Sequence, residues 1–327
     1  MSSEGVVTDP TVAVPRPGEP ASAAPGSSPD ATRPMGAGVA LVRSLRPHQW
    51  IKNVFVAAPL VFAQKLGEPY YVMHGALAVL AFCALSGAVY AFNDVRDLEA
   101  DRLHPTKRHR PIAAGQLSRR AALAWSAALA AGALAGCIAL DWRLAAFAAA
   151  YLAQNVAYTL RLKQIAFVDV ALIASGFLLR VLAGAAAIAV PTSGWLLLCT
   201  ALLALFLGFG KRAHELAWAE RNGRTTKTRA ALAGYRLDIL RVTMLVLAIA
   251  TCAAFVAYTL DERTVTEFGT NRLIYSAAFV AFGVLRFLQL ALWWPRDEAP
   301  TEAMLRDPWF LVDLAGAVAM VLYVIYG

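Results

Sequence analysis

Residues 72–111 read VMHGALAVLAFCALSGAVYAFNDVRDLEADRLHPTKRHRP. The first half, 72–92, is an unbroken apolar run of the length a helix needs to cross a bilayer, about 20 residues. The second half, 93–111, is acidic and then basic, and it closes on Pro111. A membrane-spanning β-strand would alternate apolar and polar residues; a continuous run is the pattern of a helix, whose backbone groups bond to one another inside lipid.

The rest of the chain repeats this pattern. Of its 327 residues 59% are hydrophobic and 16% charged, with a mean hydropathy of +0.54. A soluble domain is about half apolar and about a quarter charged, so lipid is the solvent this composition fits. Apolar stretches at 50–66, 72–92, 119–139, 143–161, 165–188, 194–211, 239–259, 272–293 and 308–326 predict an all-α polytopic membrane protein with nine transmembrane helices. Residues 1–38, rich in Pro, Ala, Ser and Gly with no apolar period, read as a disordered N-terminal tail, and 39–327 as the transmembrane catalytic domain. The tail lacks the apolar core of a signal peptide. Cys83, Cys137, Cys199 and Cys252 all lie in apolar runs with no CxxC or Cys/His spacing and read as small buried hydrophobes.

Basic residues follow the positive-inside rule. With the N-terminus cytoplasmic, the inner loops carry Arg96 through Arg120, Arg161 and Lys163, Lys211 through Arg236, and Arg296 and Arg306. The outer loops hold only Lys65, Arg143, Arg263 and Arg272. The segment 93–111 is therefore cytoplasmic. The net charge of +8 reflects these loops and anionic lipid, with no nucleic-acid partner.

On a continuing helix Asn93, Asp97 and Asp101 recur every fourth residue, and Asp94 lies three before Asp97 and seven before Asp101, so all four share one side. Stacked carboxylates repel by about 0.2–0.5 kcal/mol per pair in water, and by more at a poorly screened bilayer boundary. A divalent cation offsets that repulsion. Mg²⁺ suits oxygen ligands and is held through a few carboxylates together with substrate phosphates. Lys107, Arg108 and Arg110 suit the anionic oxygens of the same phosphates. The other reading of 93–111 is a solvated loop of mixed charge.

The string NDxxDxxxDxxHPxKxxRP resembles the first Asp-rich motif of the UbiA-type membrane prenyltransferase superfamily, and the hydropathy profile is similar along 40–327. The resemblance implies nine helices around a central cavity and a cytoplasmic Mg²⁺–diphosphate site whose metal ligands are Asn93, Asp94, Asp97 and Asp101. It also implies a signature YxxxxKxxxxxD, matched by Tyr158, Lys163 and Asp169 in YTLRLKQIAFVD. There Tyr158 donates a hydrogen bond and Lys163 pairs with phosphate; read without the resemblance, Tyr158 and its neighbours are an interfacial belt. The stretch where the superfamily carries a second Asp motif, GFGKRAHELAWAERNGRTTK at 208–227, has no aspartate. Lys211, Arg212 and Glu215 stand there instead, which points to direct cationic contact with phosphate, Glu215 binding a ribose hydroxyl or orienting a base. GFGK lacks the GxxxxGK[ST] spacing of a P-loop.

RPHQWIKN at 46–53, GKRxxE and the RP closing the first motif resemble one branch of that superfamily, the decaprenyl-phosphate phosphoribosyltransferases of arabinan cell-wall synthesis. The branch implies phosphoribosyl pyrophosphate as donor, polyprenyl phosphate as acceptor and a bacterial plasma membrane. Lys52 and Asn53 enter an apolar helix, where an exposed amine is costly, so Lys52 either snorkels to the headgroups or, with Asn53, faces the cavity as a substrate-binding residue; Arg46, His48 and Trp50 read without the branch are an interfacial anchor. Asp94, Asp97 and Lys211 are the expected catalytic groups. Arg180 and Arg286 lie inside apolar helices, where a charge costs at least about 2.5–3.5 kcal/mol on insertion scales. Arg180 is the candidate for the lipid phosphate or the donor's 5-phosphate, and Arg286 calls for an acidic partner. The sequence leaves self-association open. Two other readings are an aromatic prenyltransferase using an isoprenyl diphosphate, and a transporter or lipid-binding protein.

Overall fold

The computed structural model describes residues 36–104, 106–221, 230–293 and 299–327. Nearly all of the expected disordered tail, and Arg224, Lys227, Arg229 and Arg296 from the charge argument, lie outside the described residues. The first helix begins at Ala37, two residues inside the stretch read as tail.

Among the described residues every regular element is helical. In chain order they are α1 (Ala37–Ser44), α2 (Val54–Phe62), α3 (Pro69–Arg96), α4 (Leu98–Leu103), α5 (Arg119–Leu140), α6 (Trp142–Leu160), α7 (Val168–Ala187), α8 (Gly194–Arg221), α9 (Leu237–Leu260), α10 (Glu262–Phe268), α11 (Ala277–Leu288), α12 (Pro300–Met304) and α13 (Pro308–Tyr326). Short 3₁₀ turns at Pro47–Asn53, Lys107–His109 and Leu162–Gln164 join some of them. The boundaries follow local chemistry. Pro69 and Pro308 occupy first-turn positions where no amide hydrogen is needed. Ser118 caps α5, accepting from the Ala121 amide at 3.2 Å. Asp141 caps α6 through the Arg143 and Leu144 amides at 2.6 and 3.2 Å.

Among the described residues seven helices are long and apolar enough to cross a membrane: α3, α5, α7, α8, α9, the stretch Arg272–Leu292 around α11, and α13. The other two spans expected from sequence are helical but different in kind. The 50–66 span is a 3₁₀ turn followed by α2, whose 9 residues reach about 14 Å at 1.5 Å each. The 143–161 span is α6, which carries Gln154 and Asn155 in its body. Gln154 donates to the Leu172 carbonyl at 2.6 Å and accepts from Ser175 Oγ at 2.9 Å, so its polarity is satisfied by α7. Two further helices outrun their expected ends: α3 continues to Arg96 and α8 to Arg221.

Two clusters make up most of the core among the described residues. Val56, Phe82, Leu85, Leu144 and Ala183 fill one, between α2, α3, α6 and α7; Phe206, Leu240, Met244, Phe287 and Leu290 fill the other, between α8, α9 and α11 with the turn after it. Leu80, Ile138, Val242, Ile249 and Val312 are exposed, an apolar periphery suited to lipid. Arg286 finds its acid in Asp307, the N-cap of α13: its Nε donates to Asp307 Oδ2 at 3.2 Å, and Nη2 pairs with the same oxygen. That bonding holds the Asp307 carboxyl below the usual carboxylate range. At the end of α3 remote from its acidic residues, a cavity of about 800 Å³ is lined by Phe62, Lys65, Trp195, Tyr258, Arg263 and Glu267 among others.

α2 rests on α7 through Gly184. A Cβ there would stand 1.8 Å from the Val56 carbonyl oxygen, and backbone cannot step aside as a side chain can. Gly184→Ala is expected to destabilise by about 1–3 kcal/mol, the range for overpacking. The check is thermal unfolding in detergent; a variant as stable as wild type would mean α2 is not seated on α7 at this point.

Candidate active site

The last two turns of α3 present Tyr90, Asn93 and Asp94. At Asp97 the backbone leaves the helix (φ −92°, ψ 8°) and restarts as α4, which carries Asp101. This break divides the four expected ligands into two pairs. Asn93 Nδ2 donates to Asp97 Oδ2 at 3.0 Å. Lys163, from the turn between α6 and α7, lies between the two, with Nζ 2.6 Å from Asp97 Oδ1 and 3.3 Å from Asn93 Oδ1. Asp94 and Asp101 form the second pair, both buried. Arg110 Nη1 bridges them, 3.1 Å from Asp94 Oδ1 and 2.6 Å from Asp101 Oδ2. Asp94 Oδ1 takes a second guanidinium, from Arg46, whose Cζ also lies 5.0 Å from the Tyr90 ring centroid. Arg46 is held at φ +52°, a strained backbone for a non-glycine residue.

These distances test the donor set for a metal. In each pair, oxygens from two side chains already close on one cationic nitrogen, and all are hard carboxylate or amide oxygens of the kind Mg²⁺ prefers. The residues fit a divalent cation, but as two oxygen pairs rather than the single cluster expected from 93–101; no three acidic, His or Cys groups converge on one point among the described residues.

The second expected half of the site is built on Asp169, in the first turn of α7. Arg212 of α8, 1% exposed, sits between Asp169, with Nε 2.7 Å from Oδ2, and Glu215. The Asp169 contact is a charge pair without hydrogen-bond alignment. Tyr235 Oη donates to Asp169 Oδ1 at 2.6 Å and accepts from the Phe167 amide at 2.7 Å. Burial and the neighbouring carboxylate push the Tyr235 phenol up, so it stays a donor. Arg212, expected at a phosphate, is paired here with two carboxylates, and Glu215 with the same guanidinium. Lys211, beside Arg212 on α8, and Tyr158, in the last turn of α6, are half-buried, with Tyr158 in the field of Arg212. Lys107 and Arg108 are exposed on their 3₁₀ turn.

Deeper in the bundle, Asn53 is fully buried. Its amide donates to Ser86 Oγ at 3.1 Å and Cys83 Sγ at 3.2 Å and accepts from Arg180 Nε at 2.9 Å. Asn53 supports Arg180, and Lys52 beside it is half-buried. Sequence reasoning left Arg46 as a membrane anchor and did not single out Tyr235. The first had a signal in its place within RPHQWIKN; the second, 66 residues from Asp169, had none.

The model of the UbiA prenyltransferase family matches residues 53–314. The chain is 37% identical over 264 residues to decaprenyl-phosphate phosphoribosyltransferase of Mycolicibacterium smegmatis, covering 75% of this chain and 81% of that protein. It is 38% identical over 225 residues to the protein of the same name from Corynebacterium glutamicum, covering 68% and 67%. Its fold is similar to that of a UbiA homolog from Archaeoglobus fulgidus bound to GPP and Mg²⁺, with TM-score 0.66 and 18% identity over 88% of this chain and 100% of that one.

Proposed function

The chain belongs to the UbiA prenyltransferase family, and on that premise we propose that it transfers the 5-phosphoribosyl group of phosphoribosyl pyrophosphate to polyprenyl phosphate, decaprenyl phosphate by its relatives' name. The products are polyprenyl-phosphoryl-5-phosphoribose and pyrophosphate, a step in arabinan cell-wall precursor synthesis. The catalytic domain is 39–327, in a bacterial plasma membrane with the acidic residues on the cytoplasmic side. The observation that carries the choice of donor is the asymmetry of the site. One half offers paired oxygens, at Asn93 with Asp97 and Asp94 with Asp101; the other has a guanidinium, Arg212, built between carboxylates. An isoprenyl diphosphate held between two acidic motifs would need no such residue.

Asn93, Asp94, Asp97 and Asp101 would hold Mg²⁺, which neutralises charge on the diphosphate when bound. The remaining work falls to the chain's own side chains. Lys163 and Arg110, already at the carboxylates, turn to the phosphate oxygens, and Lys107, Arg108 and Lys211 add positive charge from the rim. At C1 of the ribose the bond to the pyrophosphate oxygen breaks, and pyrophosphate leaves with the electron pair. Positive charge spreads over the ring as in glycoside chemistry. A phosphate oxygen of the lipid forms the new C1–O bond from the opposite face. That oxygen is anionic at neutral pH, so no strong general base is required. The apolar space between the helices takes the polyprenyl chain.

The test supplies labelled phosphoribosyl pyrophosphate and polyprenyl phosphate to the purified protein with Mg²⁺. Ribosylated lipid is the expected product. Consumption of an isoprenyl diphosphate with an aromatic acceptor, and no ribosylated lipid, would replace this reading with that of an aromatic prenyltransferase.

A further inference from the structure

Two cations in the bundle, one buried and one half-buried, have no anion bonded to them among the described residues. Arg180, on α7, is 6% exposed. Its three nitrogens donate to Asn53 Oδ1 at 2.9 Å, the Gly176 carbonyl at 3.0 Å and Tyr151 Oη at 2.8 Å, all neutral acceptors. Among the described residues no carboxylate pairs with it. A guanidinium has five N–H donors, so two remain. The faces of Tyr151 and Phe177 lie 4.7 and 5.2 Å from its Cζ, a cation–π setting that steadies the charge without neutralising it. Lys52 makes no hydrogen bond or ion pair among the described residues, and its ammonium feels the repulsion of Arg180 and Arg46 against the attraction of Glu302. Arg286, the other arginine of the apolar helices singled out in the sequence, has its acid in Asp307. An unpaired buried charge such as that of Arg180 is costly, and repulsion from the half-buried Lys52 adds to that cost, unless an anion joins them.

Their depth is set by α3. Asp94, Tyr90 and Ser86 succeed one another at one-turn intervals, and Asn53, which holds Arg180, is bonded to Ser86. Eight residues of helix are about 12 Å, which the reach of an arginine shortens. That is the span of a compact sugar carrying phosphate at both ends, or of a lipid phosphate lying beside one.

We propose that Arg180 and Lys52 bind a phosphate monoester inside the bundle, one to two helical turns below the oxygen pairs of Asp94 and Asp97. This deepens the transferase reading and rests on it for the ligand's two possible sources: the donor's 5-phosphate and the acceptor's lipid phosphate. Asn53 and Tyr151 are positioning residues that aim the guanidinium.

The experiment measures equilibrium binding to the purified full chain, without turnover, of ribose 5-phosphate, a short-chain polyprenyl phosphate, and pyrophosphate with Mg²⁺. Lys52→Met and Arg180→Lys are compared with wild type. Both variants are expected to lose about tenfold to a hundredfold in affinity for one monoester, the worth of one or two charge-assisted hydrogen bonds, and to keep wild-type affinity for pyrophosphate. A loss on ribose 5-phosphate assigns the site to the donor, and a loss on the lipid assigns it to the acceptor. Wild-type affinity for both monoesters in both variants, or an equal loss on pyrophosphate, overturns the proposal. Lys52 anchors nothing among the described residues, so K52M decides the matter if R180K fails to fold. Because no turnover is read, failure here leaves the transfer reaction standing, and failure of the transfer assay leaves this site standing.

Discussion

Alanine at Asp97 is expected to reduce phosphoribosyl transfer by about 10²–10³-fold or more, the usual cost of removing one preorganised electrostatic contact from an active site, and to leave the protein folded. Asp97 is the cleanest of the four proposed ligands to remove. Its side chain is 33% exposed, and its cationic partner Lys163 is itself within reach of solvent at 19%. Losing the carboxylate therefore strands no buried charge. Asp94 differs: at 2% exposed and bonded to both Arg46 and Arg110, its removal would unbalance two guanidiniums and mix stability with activity. Initial rates at matched protein, with the unfolding temperature as a control for folding, make the check. Wild-type rates in D97A would remove Asp97 from the metal site.

The larger structural effect is expected at Asp169. Asp169→Ala leaves Arg212, 1% exposed, with Glu215 alone and takes the acceptor from the Tyr235 hydroxyl. Breaking one side of a buried ion pair costs about 3–5 kcal/mol. Chemical or thermal unfolding in mild detergent measures it. Replacing both partners, Asp169→Leu with Arg212→Met, is expected to recover part of that loss, because no buried charge is then left facing an apolar wall. A single variant as stable as wild type would show that the 2.7 Å approach of Arg212 to Asp169 carries no net stabilisation.

The helical membrane architecture was legible because lipid demands long apolar runs, and the acidic motif because four oxygen-bearing side chains at helical spacing are rare at a membrane boundary. Three things were not legible, each for a physical reason. Hydropathy registers composition and misses pairing between neighbouring helices, so α6 counted as apolar although Gln154 spends its polarity on α7. The end of an apolar run is not the end of its helix: α8 passes through Lys211, Arg212 and Glu215 to Arg221, which turns Arg212 inward as a loop would not. Partners distant in sequence leave no local trace; Arg46 meets Asp94, Arg286 meets Asp307 and Tyr235 meets Asp169 only once the bundle closes.

Arg212 also bears on how the two halves respond to their surroundings. A cation held by Asn93, Asp97 and their neighbours would come and go with the divalent concentration around it. The positive charge between Asp169 and Glu215 is tethered to the backbone and keeps full occupancy at any ionic composition. One half of the proposed site would thus be a loading dock for an exchangeable ion and the other a fixed charge, and a chelator would strip only the first.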